Sequence, residues 1–331
     1  MEPQTTIAAV VHEIGNLDSI SVDRVPLPEL EESQVIVQME CAPINVTDLM
    51  LALGHLGNPP PPKILGFEGS GTVIKSGSHP FAQSLIGKRV AALASLQGGF
   101  GAFSEYLVTS AYSVVVLRDS VTFEQGAGLI ISPFTVALMI EKLKEGSHTS
   151  VVFNAAASTI VKMAIKWCKL LNITAICLVR TQEQVDILAS IGVQHAFNTS
   201  KEGWKNEAKA LTNQLGTKIG FDCIAGNETQ NMIDLLVEEG TVYVYGVLSG
   251  QSSIPLSVGD KIVRGLLWAK WFFRLSAEKR AEIENKLQDL VGDVLKTEFN
   301  EEVSLDGVKD AIKQYSERKT DRKFLVRLRR A

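Results

Sequence analysis

Between residues 150 and 245, short apolar runs alternate with stretches of helical length, and this alternation constrains the fold more than any other feature of the chain. Residues 150–153, 175–179, 195–197, 219–224 and 241–245 read as strands, with 160–171, 183–191, 205–215 and 229–237 as the helices between them. Strands joined by helices pair in parallel, because only a parallel pair needs so long a crossover. Continuous apolar strands such as Ile176-Cys177-Leu178-Val179 suit a sheet covered on both faces. The predicted class is α/β, with a doubly wound parallel sheet.

The remainder has a different character. Residues 7–11, 34–39, 72–74 and 87–93 read as strands between glycine turns, and the prolines at 59–62 mark a loop. Residues 123–144 read as helical, with Pro133 at a break or a new start. Two amphipathic helices at 278–295 and 305–315 precede a last strand at 323–328, read as having one solvated face in a basic surrounding. A chain of 331 residues that is 45% hydrophobic and 21% charged can bury a core without staples. Its net charge of −4 gives no reason to expect nucleic acid or an anionic membrane as partner.

The four cysteines form no Cys-x-x-Cys pair and do not cluster with the five histidines, so no metal set is legible. The longest apolar stretch, 127–140, contains Gly128 and Pro133 and is too short to span a bilayer. Met1-Glu2-Pro3 leads into no secretory pattern, so a cytoplasmic or mitochondrial-matrix location is expected.

In such folds the first strand turns into the first helix around a pyrophosphate, whose charge suits the free amides of a helix start. Here that turn runs from Asn154 to Val161 and contains no glycine. It is either a packing turn that binds nothing or one whose backbone still accepts phosphate. The next strand ends at Val179-Arg180 in place of an acidic residue. An arginine there suits a ribose 2′-phosphate and hence NADPH, or is simply a solvent-exposed strand end.

Several ordered segments together resemble the zinc-free branch of the medium-chain dehydrogenase/reductase superfamily, the quinone oxidoreductases and enoyl reductases. They are 42–48 (Ala-Pro-Ile-Asn-Val-Thr-Asp), 66–73, 87–90, 124–127, 155–158, 221–226 and 244–250. The resemblance implies a GroES-like, mostly-β catalytic domain over 1–122 and 290–331 and a Rossmann NADPH-binding domain over 123–289, with the active site in the cleft between them. It implies a homodimer joined through a Rossmann edge strand near 263–268; a subunit of a larger complex is the alternative reading. Phe67 stands where zinc alcohol dehydrogenases carry a histidine ligand.

By the same resemblance, Asn45 contacts the nicotinamide ribose or the substrate carbonyl, and Thr135 contacts the cofactor. Ala155, Ser158, Thr159, Ile160 and Val161 hold the pyrophosphate, and Arg180 clamps the 2′-phosphate. Tyr245, Gly246 and Leu248, after the last strand, lie near the nicotinamide, and Lys323 matches a C-terminal lysine. Three positions depart from the family pattern: Val161 and Arg322 where glycines are usual, and Leu56 where mitochondrial-type enoyl reductases carry a tyrosine. His55 beside Leu56 is a candidate proton donor or a surface histidine. The expected function is NADPH-dependent reduction of a quinone or an α,β-unsaturated carbonyl without a metal. The alternatives are a weakened relative serving as a structural or regulatory subunit, and an enoyl thioester reductase.

Overall fold

The computed structural model describes residues 3–56, 63–94, 100–251, 258–318 and 323–329. The proline loop 59–62 and the positions Gly57, Gly98, Gly99 and Arg322 lie outside the described residues. Two compact units emerge, Met1–Ser132 with Glu284–Ala331, and Pro133–Ile283.

The chain opens with β1 (Thr5–Val11), β2 (Ile20–Pro26), β3 (Gln34–Pro43), α1 (Val46–Ala52), β4 (Lys63–Ile64) and β5 (Glu68–Ser76). Next come α2 (Pro80–Gln83), β6 (Arg89–Leu93), β7 (Tyr106–Ser110), β8 (Val114–Val116), α3 (Phe123–Ala127) and α4 (Ile131–Glu145). The middle of the chain carries β9 (Ser150–Phe153), α5 (Thr159–Leu170), β10 (Thr174–Val179), α6 (Gln182–Ser190), β11 (His195–Asn198) and α7 (Trp204–Leu215). It continues with β12 (Ile219–Asp222), α8 (Asn227–Leu235), β13 (Thr241–Val244), β14 (Ile262–Gly265), α9 (Trp268–Phe272) and α10 (Ala277–Leu290). The tail adds β15 (Phe299–Ser304), α11 (Val308–Arg318) and β16 (Lys323–Arg327).

In the first unit a largely antiparallel sheet runs β15-β16-β3-β5-β6-β8, with β7 also paired to β3 and a smaller β2-β1-β4 sheet beside it. Val35, Val37 and Met39 of β3 bury their side chains with Val73, Leu107 and Val326 in one core. The last strand corrects an expectation. Lys323 through Val326 are all buried, because both faces of β16 are covered: Phe324 and Val326 enter the large core, while Leu325 packs with Cys41, Ala127 and Phe123.

The second unit is a parallel sheet ordered β11-β10-β9-β12-β13-β14. The chain builds outward from β9 to β11, then returns to start the other half at β12. The order therefore reverses between β9 and β12, where doubly wound sheets open a crevice at the carboxyl ends of their strands. β12 stops at Asp222 rather than 224 because the Asp222 carboxylate turns the chain, accepting the amides of Ile224 (2.8 Å) and Ala225 (2.9 Å). β14 follows β13, so residues 245–249 precede the last strand of the sheet, and Trp268 opens α9 instead of closing the edge.

Candidate active site

In the second unit, Ala155, Ser158 to Val161, Arg180, Tyr245, Gly246 and Leu248 follow the carboxyl ends of parallel strands. After β9, Ala155 takes up a left-handed backbone (φ 45°), a conformation in which glycine would be unstrained. Ser158 is the N-cap of α5, yet its side chain makes no capping bond. The amides of Thr159, Ile160 and Val161 have no backbone acceptor among the described residues, so the first turn of the helix presents free donors. Val161 is fully buried, so its branched side chain packs into the core and only its amide belongs to the turn.

Arg180, at the end of β10, is exposed. Its backbone is pinned on both sides: its amide donates to Gln184 Oε1 (3.0 Å) and its carbonyl accepts from Ser200 Oγ (2.8 Å). Its guanidinium has no partner among the described residues.

A buried network fixes the reversal point. Asn154 donates from Nδ2 to Asp222 Oδ1 (2.5 Å) and accepts on Oδ1 from the Cys223 amide (3.0 Å). Thr229 Oγ1 donates to the other Asp222 oxygen (2.6 Å). With the Ile224 and Ala225 amides, this gives the carboxylate enough donors to remain buried. The following loop lies along it: Tyr245 donates its amide to the Asp222 carbonyl (2.8 Å) and Leu248 to that of Cys223 (3.0 Å). Gly246 is required there, since a Cβ would stand 2.9 Å from the Cys223 carbonyl oxygen. Sequence reasoning assigned no role to Asn154 or Asp222; Asp222 closing an apolar strand was the available signal.

The first unit holds a second constellation. Gly66 (φ 96°) turns the chain where a Cβ would collide with the Phe103 amide at 2.5 Å. The turn brings the Phe67 amide to Asp48 Oδ1 (2.9 Å) and Glu68 into the interior. Asp48 Oδ2 also accepts the Asn45 amide (2.6 Å) at the start of α1. Asn45 Nδ2 donates to Glu68 Oε1 (3.0 Å), and the Lys323 ammonium donates to Asn45 Oδ1. The remaining Glu68 oxygen accepts the amides of Ile130 (3.0 Å) and Ile131 (2.9 Å) at the start of α4.

Asp48 and Glu68 are fully buried, and Asn45 and Lys323 nearly so. Burial, with the Glu68 charge adding to it, pushes Asp48 up to about 7 against the pull of the Asn45 and Phe67 amides. Burial raises Glu68 as well, opposed chiefly by Lys323, and burial lowers Lys323 itself.

Among the sequence-chosen residues of this unit, Asn45 and Lys323 are therefore brought together. His55 is not one of the group; it sits on the exposed turn after α1 with no side-chain hydrogen bond among the described residues. In the second unit, Thr135 is buried within α4, beyond its first turn. Asp48 and Glu68 complete the cluster without having been singled out.

Buried side-chain polar atoms lacking a hydrogen-bond partner are, among the described residues, Thr47 Oγ1, Ser158 Oγ and Tyr245 OH. Burial raises the tyrosine hydroxyl, and the Cys223 thiol beside it adds to that. Such orphans are rare in folded proteins. All three fall in the segments already marked for ligand contact: beside Asn45, at the start of α5, and in the loop after β13.

A mostly-β unit and a doubly wound parallel-sheet unit make this a two-domain α/β protein. Residues 31–119 match the alcohol dehydrogenase GroES-like domain and residues 159–287 match the zinc-binding dehydrogenase family. The chain belongs to the medium-chain dehydrogenase/reductase superfamily, in its zinc-free quinone oxidoreductase and enoyl reductase branch. It is 29% identical over 299 residues to the mitochondrial enoyl-[acyl-carrier-protein] reductase of Arabidopsis thaliana, covering 86% of this chain and 77% of that one. It is 26% identical over 219 residues to a quinone oxidoreductase of Pseudomonas aeruginosa, covering 66% of each. The crystal structure of Escherichia coli quinone oxidoreductase complexed with NADPH superposes with a TM-score of 0.86 at 22% identity, covering 97% of this chain and 99% of that one.

The second matching family is described as zinc-binding, yet among the described residues no three His, Cys, Asp or Glu side chains converge as metal ligands. The four cysteines are buried and unpaired, and burial raises every one of their thiols. Among the described residues no helix is long and apolar enough to cross a membrane.

Proposed function

We propose that this protein is an NADPH-dependent oxidoreductase that reduces a quinone or an α,β-unsaturated carbonyl without a metal. The observation that carries the proposal is the start of α5, where three unaccepted amides and the orphaned Ser158 hydroxyl converge. Donors left unpaired at that point of a doubly wound sheet suit a pyrophosphate. Arg180 supports the choice of NADPH over NADH, since its guanidinium suits a 2′-phosphate.

Bound NADPH supplies the hydride, and the chain supplies orientation and electrostatics. Ala155 and Ser158 to Val161 present the pyrophosphate-binding backbone, while Tyr245, Gly246, Leu248 and Thr135 are assigned to the remainder of the cofactor. Asn45, held by Lys323, is assigned to the nicotinamide ribose or the substrate carbonyl. His55, exposed and outside the cluster, is left without an assigned role, and solvent water protonates the product. We place two copies of the chain together through the edge strand β14.

Fluorescence titration with NADPH at tens of micromolar tests binding, and NADPH oxidation with a panel of quinones, enones and one enoyl thioester tests turnover. Saturable binding with quinone or enone turnover is the expected outcome. Binding without turnover of any acceptor would instead identify a structural or regulatory subunit. Turnover of the thioester alone would identify an enoyl thioester reductase.

A further inference from the structure

The amide of Asn45 is held at both ends by buried charge. A carboxylate can only accept and an ammonium can only donate, so Glu68 faces the nitrogen and Lys323 the oxygen. Reversing the amide would set NH₂ against the ammonium and C=O against the carboxylate, losing two charge-assisted bonds and creating two repulsions. The carboxylate cannot drift to follow such a reversal, because its other oxygen is fixed by two successive amides, Ile130 and Ile131. Asp48 fixes the backbone of the same asparagine through the Asn45 amide. One Nδ2 hydrogen of Asn45 remains for a ligand, in a single set direction.

We propose that Glu68 is a positioning residue: it locks the Asn45 amide in one orientation and acts on the reaction through the hydrogen bond Asn45 makes to the ligand. This rests on the assignment of Asn45 to the nicotinamide ribose or substrate carbonyl. Its electrostatic logic is specific to a carboxylate. In Glu68→Gln the side-chain oxygen stays with the Ile130 and Ile131 amides, which leaves an NH₂ facing the NH₂ of Asn45. No orientation of Asn45 then satisfies both neighbours.

The test uses the full chain labelled with ¹⁵N-asparagine, with the Asn45 side-chain resonance assigned by its absence in Asn45→Ala. Glu68→Gln is expected to move that resonance in the ligand-free protein and to lower kcat/KM for NADPH oxidation by about 10- to 100-fold, the size of one charge-assisted bond. Asn45→Ala/Glu68→Gln is expected to be no slower than Asn45→Ala alone, since both changes act through one group. Glu68→Asp keeps the charge and is expected to recover part of both effects. Should Glu68→Gln fail to fold, Glu68→Asp must still move the resonance.

An unmoved resonance, or losses that multiply in the double variant, would overturn the proposal. A resonance that moves while Asn45→Ala binds NADPH and turns over normally would uphold the lock and overturn the assignment of Asn45 to the ligand. The two readings can thus fail separately.

Discussion

Arg180 is held by its backbone and free at its tip, an arrangement in which a single side chain can select between two cofactors. Its amide and carbonyl are committed to Gln184 and Ser200, so Arg180→Ala leaves the strand end in place. A charge-assisted bond to phosphate contributes about 1.5–3 kcal/mol. Arg180→Ala is therefore expected to weaken NADPH by about tenfold or more, and NADH by much less, when both are titrated by fluorescence. Equal weakening of the two would discard the 2′-phosphate assignment.

The place of Arg180 was legible in the sequence because it closes a recognisable strand. The Asn45–Glu68–Lys323 cluster was only half legible, because chain distance conceals it: Glu68 is 23 residues from Asn45, and Lys323 is 278 away. Asp48 and Glu68 read as members of a motif, and nothing local marks them as buried charges. Only the turn at Gly66 and the pairing of β16 with β3 put these groups within reach of one another.

At the scale of elements, the β9–α5 turn separates two roles for one residue. A valine where relatives carry glycine suggests, from sequence alone, that bulk obstructs the nucleotide and that Val161→Gly tightens NADPH binding. The burial of Val161 redirects that expectation. Its side chain fills the core, so glycine would lose about 1.5–3 kcal/mol of buried apolar contact and up to about 1 kcal/mol of helix propensity. Val161→Gly is now expected to destabilise the protein by about 2–4 kcal/mol in denaturant unfolding, with no gain in NADPH affinity. Tighter NADPH binding would show that the turn had been crowded after all.

Strand–helix alternation made the second unit readable almost element by element, because buried parallel strands are continuously apolar. The first unit was less so. β2 and β15 escaped notice because each mixes charged residues into a half-exposed strand, and β15 exposes every second residue on a sheet edge. Alternation of that kind, with Glu301 and Glu302 adjacent, carries too little apolar signal to distinguish a strand from a polar loop.

At the scale of the whole molecule, the parallel sheet ends at β14, which pairs with β13 on one side only. The register identifies which groups face outward. The amides of Ile262 and Leu266 donate to Gly240 and Val244, so alternation turns the amides of Val263 and Gly265 away from β13. Ile262 is 40% exposed on this strand, and Leu267 just after it is 63% exposed, an apolar edge of the kind that invites pairing. Two copies related by a two-fold axis would continue one sheet into the next and satisfy these outward amides. Val263→Pro removes one outward donor and leaves the bonds to β13 intact, since proline is tolerated where a strand's N–H points away from its partner. Light scattering after size exclusion is expected to give a dimer for the natural chain and a monomer for Val263→Pro, with NADPH binding retained. A variant that stays dimeric would place the contact between copies on some face other than this edge.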